Sequence, residues 1–381
     1  MSVAIYDQQP RRTFYVPRFQ LSKDGTPLHP SVMRDVMHVT YRDSVKDIDS
    51  FDLTVNNWDA ERRAFKYEPA SDPSCRGTWD PGQELDLSLG YQDDLRHVMR
   101  GQVTRLDLDY SEGGQPTLKV SGLNVLHKFR SEQHSWFWPQ MTDSQIAREL
   151  GQRRRSKGRP GLGMEVKISQ RPEAQQDVFM DNQHDIVFLL MRARLHAYEV
   201  LLIVDAPGKE HLYFGPTLTA TEDPTYKLEW GRSLTSFRPT ISTGLQVGEV
   251  EVRWWNRRTN RPIVATASWS DKLKAPSVQY DVAKQLEQAF GSRREVITNH
   301  PVQTVDEAQR YASDVLKRKL ERMVEAQGTT VGLPELRAGR KVEIAGLGPR
   351  FNGMYFLTET THTLGADGYR TTFSARRDIP G

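Results

Sequence analysis

The sequence predicts a mainly β protein with α+β insertions, organised as two β-barrel domains. The first observation is that about the first 120 residues contain short segments in which apolar and polar residues alternate, as in half-buried strands. The second is a similar alternation from Lys341 to the C-terminus. The third is helical spacing of apolar residues between the two regions. A chain of 381 residues exceeds one typical core, so several domains are expected.

The N-terminal strands are short and are separated by polar turns. Asp24-Gly25 is a hairpin pair, apolar residues alternate over 51–55, and they alternate again over 85–91. Strands at this spacing with no helical pattern between them indicate a sandwich or a barrel. We therefore assign residues 1–127, together with 211–240, to a first β-barrel.

Residues 128–210 have a different character and predict an α+β insert. Thr142-Asp143-Ser144-Gln145 fits a capping box, and Gly151 is placed to end the helix that follows. Asn182 can cap a second helix, and Tyr198–Val204 is an apolar run typical of a buried strand.

The second β-barrel is assigned to residues 241–265 together with 327–381. Val342 and Ile344 alternate with charged residues, and turn residues separate this strand from two further strands near the C-terminus. Val247, Val250 and Val252 lie between charged residues, which predicts an exposed strand.

Residues 266–326 form an inserted segment with a long helix. Thr304-Val305-Asp306-Glu307 is a second capping box, and a helix reaching Glu325 would be about 33 Å long. This helix could support a subunit interface, or it could cover the barrel of its own chain. The sequence leaves the fold of 266–303 open.

Composition excludes several classes of function. The chain has 52 Lys and Arg against 49 Asp and Glu, which is too balanced for a dedicated nucleic-acid binder. The single cysteine, Cys75, allows neither an intrachain disulfide nor a thiolate metal cluster. The N-terminus lacks the apolar region of a secretory signal, and the longest aliphatic run, Val200–Val204, is too short to cross a bilayer. We expect a soluble protein, assembled in a bacterial cytoplasm without membrane insertion.

The sequence contains no HExxH, G-x-S-x-G, P-loop or Rossmann glycine pattern. Cys75 has no evident histidine partner, and His362, among threonines on a predicted strand, is interpreted as a hydrogen-bonded structural histidine. His184-Asp185 at a helix start is interpreted as first-turn polarity rather than as a dyad. Two carboxylates that meet in space for glycoside cleavage stay possible. The prediction is therefore no enzyme, with no catalytic, cofactor-binding or metal-binding residue and no cofactor.

A basic segment is the strongest candidate for a binding role. It places five cations within seven residues, and these are Arg153, Arg154, Arg155, Lys157 and Arg159. They could line a lumen and contact nucleic acid or an acidic cargo protein. The alternative is a solvated surface loop. No aromatic residue lies between the cations, so a stacking platform for single strands is not indicated.

Several phrases of the sequence resemble the phage late control protein D family. They are Phe51–Val55, Leu89–Tyr91, Met99–Thr104, Leu123–His127, Gly332–Gly339, Val342–Gly348, Phe351–Tyr355 and Gly368–Phe373, with His362 before the last. The resemblance runs from about residue 12 to residue 377. This family supplies baseplate hubs of contractile tails and is related to the hub part of the VgrG spike proteins of type VI secretion.

The resemblance implies a structural baseplate hub that adapts a six-fold inner tube to a three-fold spike. It implies a homotrimer whose six barrels form a pseudo-six-fold ring, with the inner tube protein on one side and a separate spike protein on the other. Baseplate wedge proteins are further candidate partners. The particle could be a phage tail, a tailocin or an extracellular injection particle that leaves the cell. The alternative is a tail-tip cell-wall hydrolase or glycan-binding module.

Overall fold

The structure is a computed structural model that describes residues 16–67, 77–92, 94–112, 114–153, 160–168, 173, 175–206, 209–216, 226–274 and 277–377. Its strands are β1 (Pro17–Lys23), β2 (Thr26–Pro27), β3 (Val36–Ser44), β4 (Ser50–Asn56), β5 (Trp58–Asp59), β6 (Ala64–Phe65), β7 (Glu84–Tyr91), β8 (Asp94–Asp109), β9 (Thr117–Asn124), β10 (Gln133–Met141), β11 (Val166–Ile168), β12 (Gln176–His184), β13 (Tyr198–Ala206), β14 (Lys209–Pro216), β15 (Tyr226–Glu229), β16 (Leu234–Ile241), β17 (Glu249–Asn256), β18 (Arg261–Ser268), β19 (Arg294–Ile297), β20 (Val324–Val331), β21 (Lys341–Ala345), β22 (Gly353–Gly365) and β23 (Gly368–Arg377). Its helices are α1 (Pro30–Asp35), α2 (Asp143–Gln152), α3 (Asp185–Leu195), α4 (Trp269–Lys272), α5 (Val278–Phe290) and α6 (Val305–Glu321).

Thirteen strands form one sheet, in the order β16-β20-β23-β22-β3-β4-β9-β8-β7-β1-β2. Outside this order, β21 pairs with β22, and β15 pairs with β21. The central strand β22 serves both halves of this sheet. Its first residues pair with β21, and after an irregularity between Leu357 and Glu359 its residues 359–364 pair with β3. We call β1, β3, β4 and β7–β9 the N-terminal β-unit, and β15, β16 and β20–β23 the C-terminal β-unit.

The prediction of a mainly β chain is confirmed, but the two barrels are not separate closed sheets. Among the described residues, the strand pairings leave the sheet open at β2 and β16. Within the C-terminal β-unit the two outer strands do approach each other, through a bridge between Trp230 and Leu234. The units are fused because β22, at 13 residues, is long enough to pair in both.

The N-terminal β-unit follows its sequence pattern closely. Phe51, Leu53 and Val55 are almost completely buried in its core, as their alternation predicts. Asp24 and Gly25 form the predicted hairpin turn, with φ angles of 51° and 76°, and they join β1 to β2.

In the insert, Thr142 forms the predicted capping box with Gln145 at the start of α2. Gly151 does not end that helix, which continues to Gln152. A Cβ at Gly151 would lie 2.3 Å from the side chain of Val166, so this glycine allows close packing of α2 on β11. Asn182 still lies within β12, and α3 begins after His184.

The segment 211–240 pairs differently from its assignment to the first barrel. Strand β14 pairs with β13 and β11 in a three-stranded sheet of the insert. Strands β15 and β16 pair with β21 and β20 of the C-terminal β-unit. Alternation in a sequence defines which face of a strand is buried but not which strand lies beside it.

Strand β17 is the centre of a separate three-stranded sheet, between β18 and β19. The predicted exposed strand is therefore wrong, because Val250 and Val252 are 0% exposed. They lie in a core shared with α6, which packs on β17 and β18. Helix α6 starts after Thr304 as predicted but ends at Glu321. Within this chain, α6 covers the three-stranded sheet of β17, β18 and β19. The segment 266–303, whose fold the sequence leaves open, contains α4, α5 and β19.

Candidate functional site

The two β-units are held together by a network of charged and polar side chains at β3 and β22. Arg337, on the segment between β20 and β21, directs its guanidinium into the N-terminal β-unit. Its Nε donates to Asp43 Oδ2 at 2.5 Å, its Nη1 donates to the carbonyl oxygen of Val98 at 3.0 Å, and its Nη2 donates to the hydroxyl of Tyr41. One side chain thus links the C-terminal segment to β3 and β8.

The carboxylates of this network are partly or fully withdrawn from water. The side chain of Asp43 is 4% exposed, and it also accepts from Thr360 Oγ1 and from the backbone N–H of Ala338. Desolvation raises the pKa of Asp49 to about 7, and the charge of Asp43 adds to this rise while Arg337 opposes it. Desolvation acts to lower the pKa of Arg337, but the neighbouring acidic groups outweigh it and hold that pKa above its ordinary value.

His362 completes the network from β22. It is 0% exposed, and its Nε2 lies 3.0 Å from the carbonyl oxygen of Leu336. Nε2 therefore carries the proton, and Nδ1 lies 2.9 Å from Tyr369 Oη and 3.1 Å from Thr371 Oγ1. The one lone pair of Nδ1 accepts a hydrogen bond from this pair of hydroxyl groups. Burial lowers the pKa of His362 to about 4, so the ring is neutral near pH 7. The prediction of a hydrogen-bonded structural histidine is confirmed.

The His184-Asp185 pair is not a dyad. Asp185 Oδ1 lies 2.8 Å from Nδ1 of His134 on β10, and its other oxygen accepts from the backbone N–H of Gly161 at 2.9 Å. The imidazole of His184 faces the carbonyl oxygen of Glu132 instead. The partner of Asp185 lies 51 residues away, and no sequence spacing indicates it. The contact between His134 and Asp185 connects β10 to α3 inside the insert.

Of the basic segment, only Arg153 lies in the part of the chain that the structure describes. It follows α2, pairs with Glu149, and places its guanidinium 4.6 Å from the ring centre of Trp136. Arg154, Arg155, Lys157 and Arg159 lie outside the described residues, as does Cys75. The contact of this segment with nucleic acid or cargo stays a prediction.

Within the described ranges, no three His, Cys, Asp or Glu side chains are grouped in a way that could hold a metal ion. In the same ranges, no helix combines the length and the apolar character needed to cross a bilayer.

The insert and the C-terminal β-unit enclose a cleft of about 860 Å³. At its floor, Arg376 Nη2 lies 2.9 Å from Glu199 Oε1 and 3.5 Å from Glu321 Oε2. Burial raises the pKa of Glu199, and Arg376 opposes that rise. These three side chains connect β23, β13 and α6.

The sequence matches the family described as Alg8 N-terminal domain over residues 15–366, which is most of the chain. The chain belongs to the Alg8 N-terminal domain family. A search of curated proteins finds no match in sequence.

This member of the Alg8 N-terminal domain family is similar in fold to solved phage tail proteins. The 43 kDa tail protein of prophage MuSo2 from Shewanella oneidensis has a TM-score of 0.67 at 16% identity, with 95% of this chain and 98% of that chain covered. A tail protein from Neisseria meningitidis has a TM-score of 0.66 at 13% identity, with 96% and 97% covered.

A third similar structure is an Escherichia coli protein described as a component of the type VI secretion system, itself similar to bacteriophage tail proteins. It has a TM-score of 0.57 at 14% identity, with 96% of this chain and 79% of that chain covered. These identities are low, so the likeness shows a common fold. The sequence resemblance to the baseplate hub family is confirmed at this level.

This Alg8 N-terminal domain chain also presents an aromatic pair that the sequence analysis missed. Phe137 on β10 and Phe179 on β12 are directly opposite each other and are 52% and 62% exposed. Their neighbours Trp138, Val178 and Met180 face the core of the insert. Exposed apolar side chains that lie together often mark contact surfaces.

Proposed function

We propose that this chain is the structural baseplate hub of a contractile injection system and adapts a six-fold inner tube to a three-fold spike. The observation that carries the proposal is the continuity of the two β-units through β22, within a fold shared with phage tail proteins along nearly the whole chain. Three copies of a chain with two rigidly connected β-units present six β-units. The six β-units match the six-fold tube and the three chains match the three-fold spike, so no second adaptor protein is needed.

The proposed hub must transmit force between its two β-units without hinging. Strand β22 supplies a continuous backbone connection, and Arg337 adds a bond across the joint to Asp43. In the proposed homotrimer, each interface is permanent and buries more than roughly 2,000 Å² in total. The inner tube protein, a separate spike protein and baseplate wedge proteins are the proposed partners, and the exposed Phe137–Phe179 pair is a candidate contact.

The proposed hub has no catalytic role. A glycoside hydrolase typically uses two carboxyl groups that flank the scissile bond. Of the four carboxylates that line the cleft, Glu199 and Glu321 are bound to Arg376, and Glu359 has Arg42 at 3.7 Å. The purified chain should therefore leave peptidoglycan intact in a turbidity assay. Digestion that persists on repurification and disappears with Glu199→Gln would support the hydrolase instead.

The hub proposal is tested by removing the chain from a bacterium that produces the particles. Without it, particles with a joined tube, baseplate and spike should not form, and an intact copy supplied in trans should restore them. An affinity-tagged copy should be recovered within the particle together with the tube and spike proteins. Normal particles in the absence of the chain would contradict the proposal.

A further inference from the structure

The cleft between the insert and the C-terminal β-unit is part of a longer groove. Its walls are the end of α3 and strand β13 on one side, and β16, β20, β23 and the end of α6 on the other. It continues into an open cavity of about 530 Å³, and both cavities are lined by Arg238, Gln327, Glu359 and Ser374. We call the two together the charged groove. Their volumes are in the range of sites that bind ligands.

The floor of the charged groove consists of side chains that the pairing of β16, β20, β23 and β22 places in rows across the sheet. Alternate residues of four neighbouring strands face it, because side chains alternate between the two faces of a sheet. One row across the strands is Arg238, Gln327, Ser374 and Glu359, and the next row is Ser236, Thr329, Thr372 and Thr361. The floor is therefore a band of hydroxyl, amide and charged groups about 14 Å wide, suited to hydrogen bonds with an extended main chain.

The charges of the groove favour an anionic ligand. Arg376 at the floor forms ion pairs with Glu199 and Glu321. Apart from these three residues, two carboxylates and five cations line the cleft. The two carboxylates are Glu325 and Glu359, and the five cations are Lys46, Arg194, Arg238, Arg318 and Arg322. Glu359 also has Arg42 at 3.7 Å.

Several of these cations are available to a ligand. Arg318 donates to the backbone carbonyl of Arg194. Arg194, Arg238 and Arg322 are exposed, and none of these three side chains has an ion pair with another residue in the described part of the chain. A carboxylate that entered the groove could therefore pair with them without breaking an existing salt bridge.

The groove also has an apolar side. Leu190 and Ala197, both half-buried, line its insert wall beside the buried Ala193 and Val200. Val45, which follows β3, also lines the groove. The aromatic residues Tyr198 and Phe373 also line the groove. They are 5% and 3% exposed and offer no face for stacking a nucleobase. Glu325 and Glu359 would repel a continuous chain of phosphates but can accept hydrogen bonds from peptide N–H groups.

We propose that the charged groove binds an extended acidic segment of a partner protein. Its carboxylates pair with Arg238 and Arg322, its aliphatic side chains contact the wall around Leu190, and its main chain bonds to the hydroxyl and amide floor. This inference does not depend on the hub proposal, since it rests on the groove of the single chain.

The test uses the full chain and a fluorescein-labelled peptide of alternating Glu and Leu, followed by fluorescence anisotropy. The peptide should bind, and a Gln/Leu peptide of the same length should bind much more weakly. The variant Arg238→Gln/Arg322→Gln should weaken binding of the acidic peptide about tenfold, since each exposed ion pair contributes a few-fold. The matched control Arg257→Gln/Arg258→Gln removes the same charge from an exposed turn and should leave binding unchanged.

Charge reversal provides a second readout. Arg238→Glu/Arg322→Glu should lose the acidic peptide and bind a Lys/Leu peptide. Equal loss in the control pair, or no preference for Glu/Leu over Gln/Leu, would overturn the proposal. Tighter binding of a labelled oligothymidylate would replace the peptide with nucleic acid as the ligand. A change of oligomeric state in the Arg238→Gln/Arg322→Gln variant would make a second copy of this chain the occupant and would also overturn it.

Discussion

Replacing Arg337 by Met tests whether the network between the β-units fixes them to each other. The substitution keeps most of the side-chain volume but removes the donors to Asp43, Val98 and Tyr41. It leaves the carboxylate of Asp43, 4% exposed, without its cationic partner.

The magnitude follows from what Asp43 loses and what it keeps. Breaking a buried ion pair by removing one partner costs about 3–5 kcal/mol. Asp43 keeps its bonds from Thr360 and Ala338, which favours the lower end, about 3 kcal/mol. With an unfolding entropy of about 2.1 cal/mol/K per residue over 381 residues, this loss lowers the Tm by about 4 °C if the chain unfolds as one unit.

Differential scanning calorimetry measures this shift, and limited proteolysis reports whether the two β-units separate earlier. Arg257→Met, at an exposed turn position, is the matched control and should change stability by less than about 0.5 kcal/mol. In a double-mutant cycle, Asp43→Leu with Arg337→Met should cost less than the sum of the single changes. A Tm of Arg337→Met equal to that of the control would refute the assignment of this network to the joint.

Three further changes probe the same region. The pKa of Asp49 is about 7 in the folded chain against an ordinary 3.8. The folded state therefore binds this proton more tightly than the unfolded state, and the free energy of unfolding falls as pH rises from about 4 to about 7. Asp49→Asn lacks this loss, so in urea titrations its free energy of unfolding relative to the parent should rise by about 2 kcal/mol across that window. The pKa of His362 is about 4 against an ordinary 6.5. The neutral ring therefore stabilises the fold fully above about pH 6.5, and this stabilisation is lost as the pH falls toward 4. The difference in free energy of unfolding between the parent and His362→Gln should narrow on acidification, and a constant difference would contradict the neutral buried ring. A Cβ at Gly332 would lie 2.0 Å from the ring of Tyr369, so Gly332→Ala should cost about 1–3 kcal/mol in thermal unfolding, whereas Gly244→Ala, with no atom within 4 Å, should not.

Local elements with both a pattern and a turn signal could be predicted from the sequence. The meander of β21, β22 and β23 is expected from the alternation and from the turn residues that separate its strands, and Gly365 pairs with Gly368 at one of these turns in the structure. The start of α2 was expected from the Thr142 capping box. In each case the information lies within a few residues, where steric preference and side-chain hydrogen bonds decide the backbone conformation.

Strand neighbours and the partners within the buried network could not be predicted. Strand β14 alternates as a strand of the first barrel would, and its pairing with β13 and β11 is what shows that it lies in the insert. Arg337 and Asp43 are 294 residues apart, and neither position carries a local signal of a buried ion pair. His362 was interpreted correctly as structural, but its bonds to Tyr369 and Thr371 depend on the pairing of β22 with β23. Such contacts are set by tertiary packing rather than by sequence spacing.

Cryo-electron microscopy of the intact particle tests the central claim most directly. Particles are purified from a producing bacterium in which this chain carries a small tag, and the tag is located in the reconstruction. The hub proposal predicts three copies at the junction of tube and spike, with the six β-units in one ring around the axis. Any other number of copies, or a position on the sheath, a fibre or the spike tip, would contradict it.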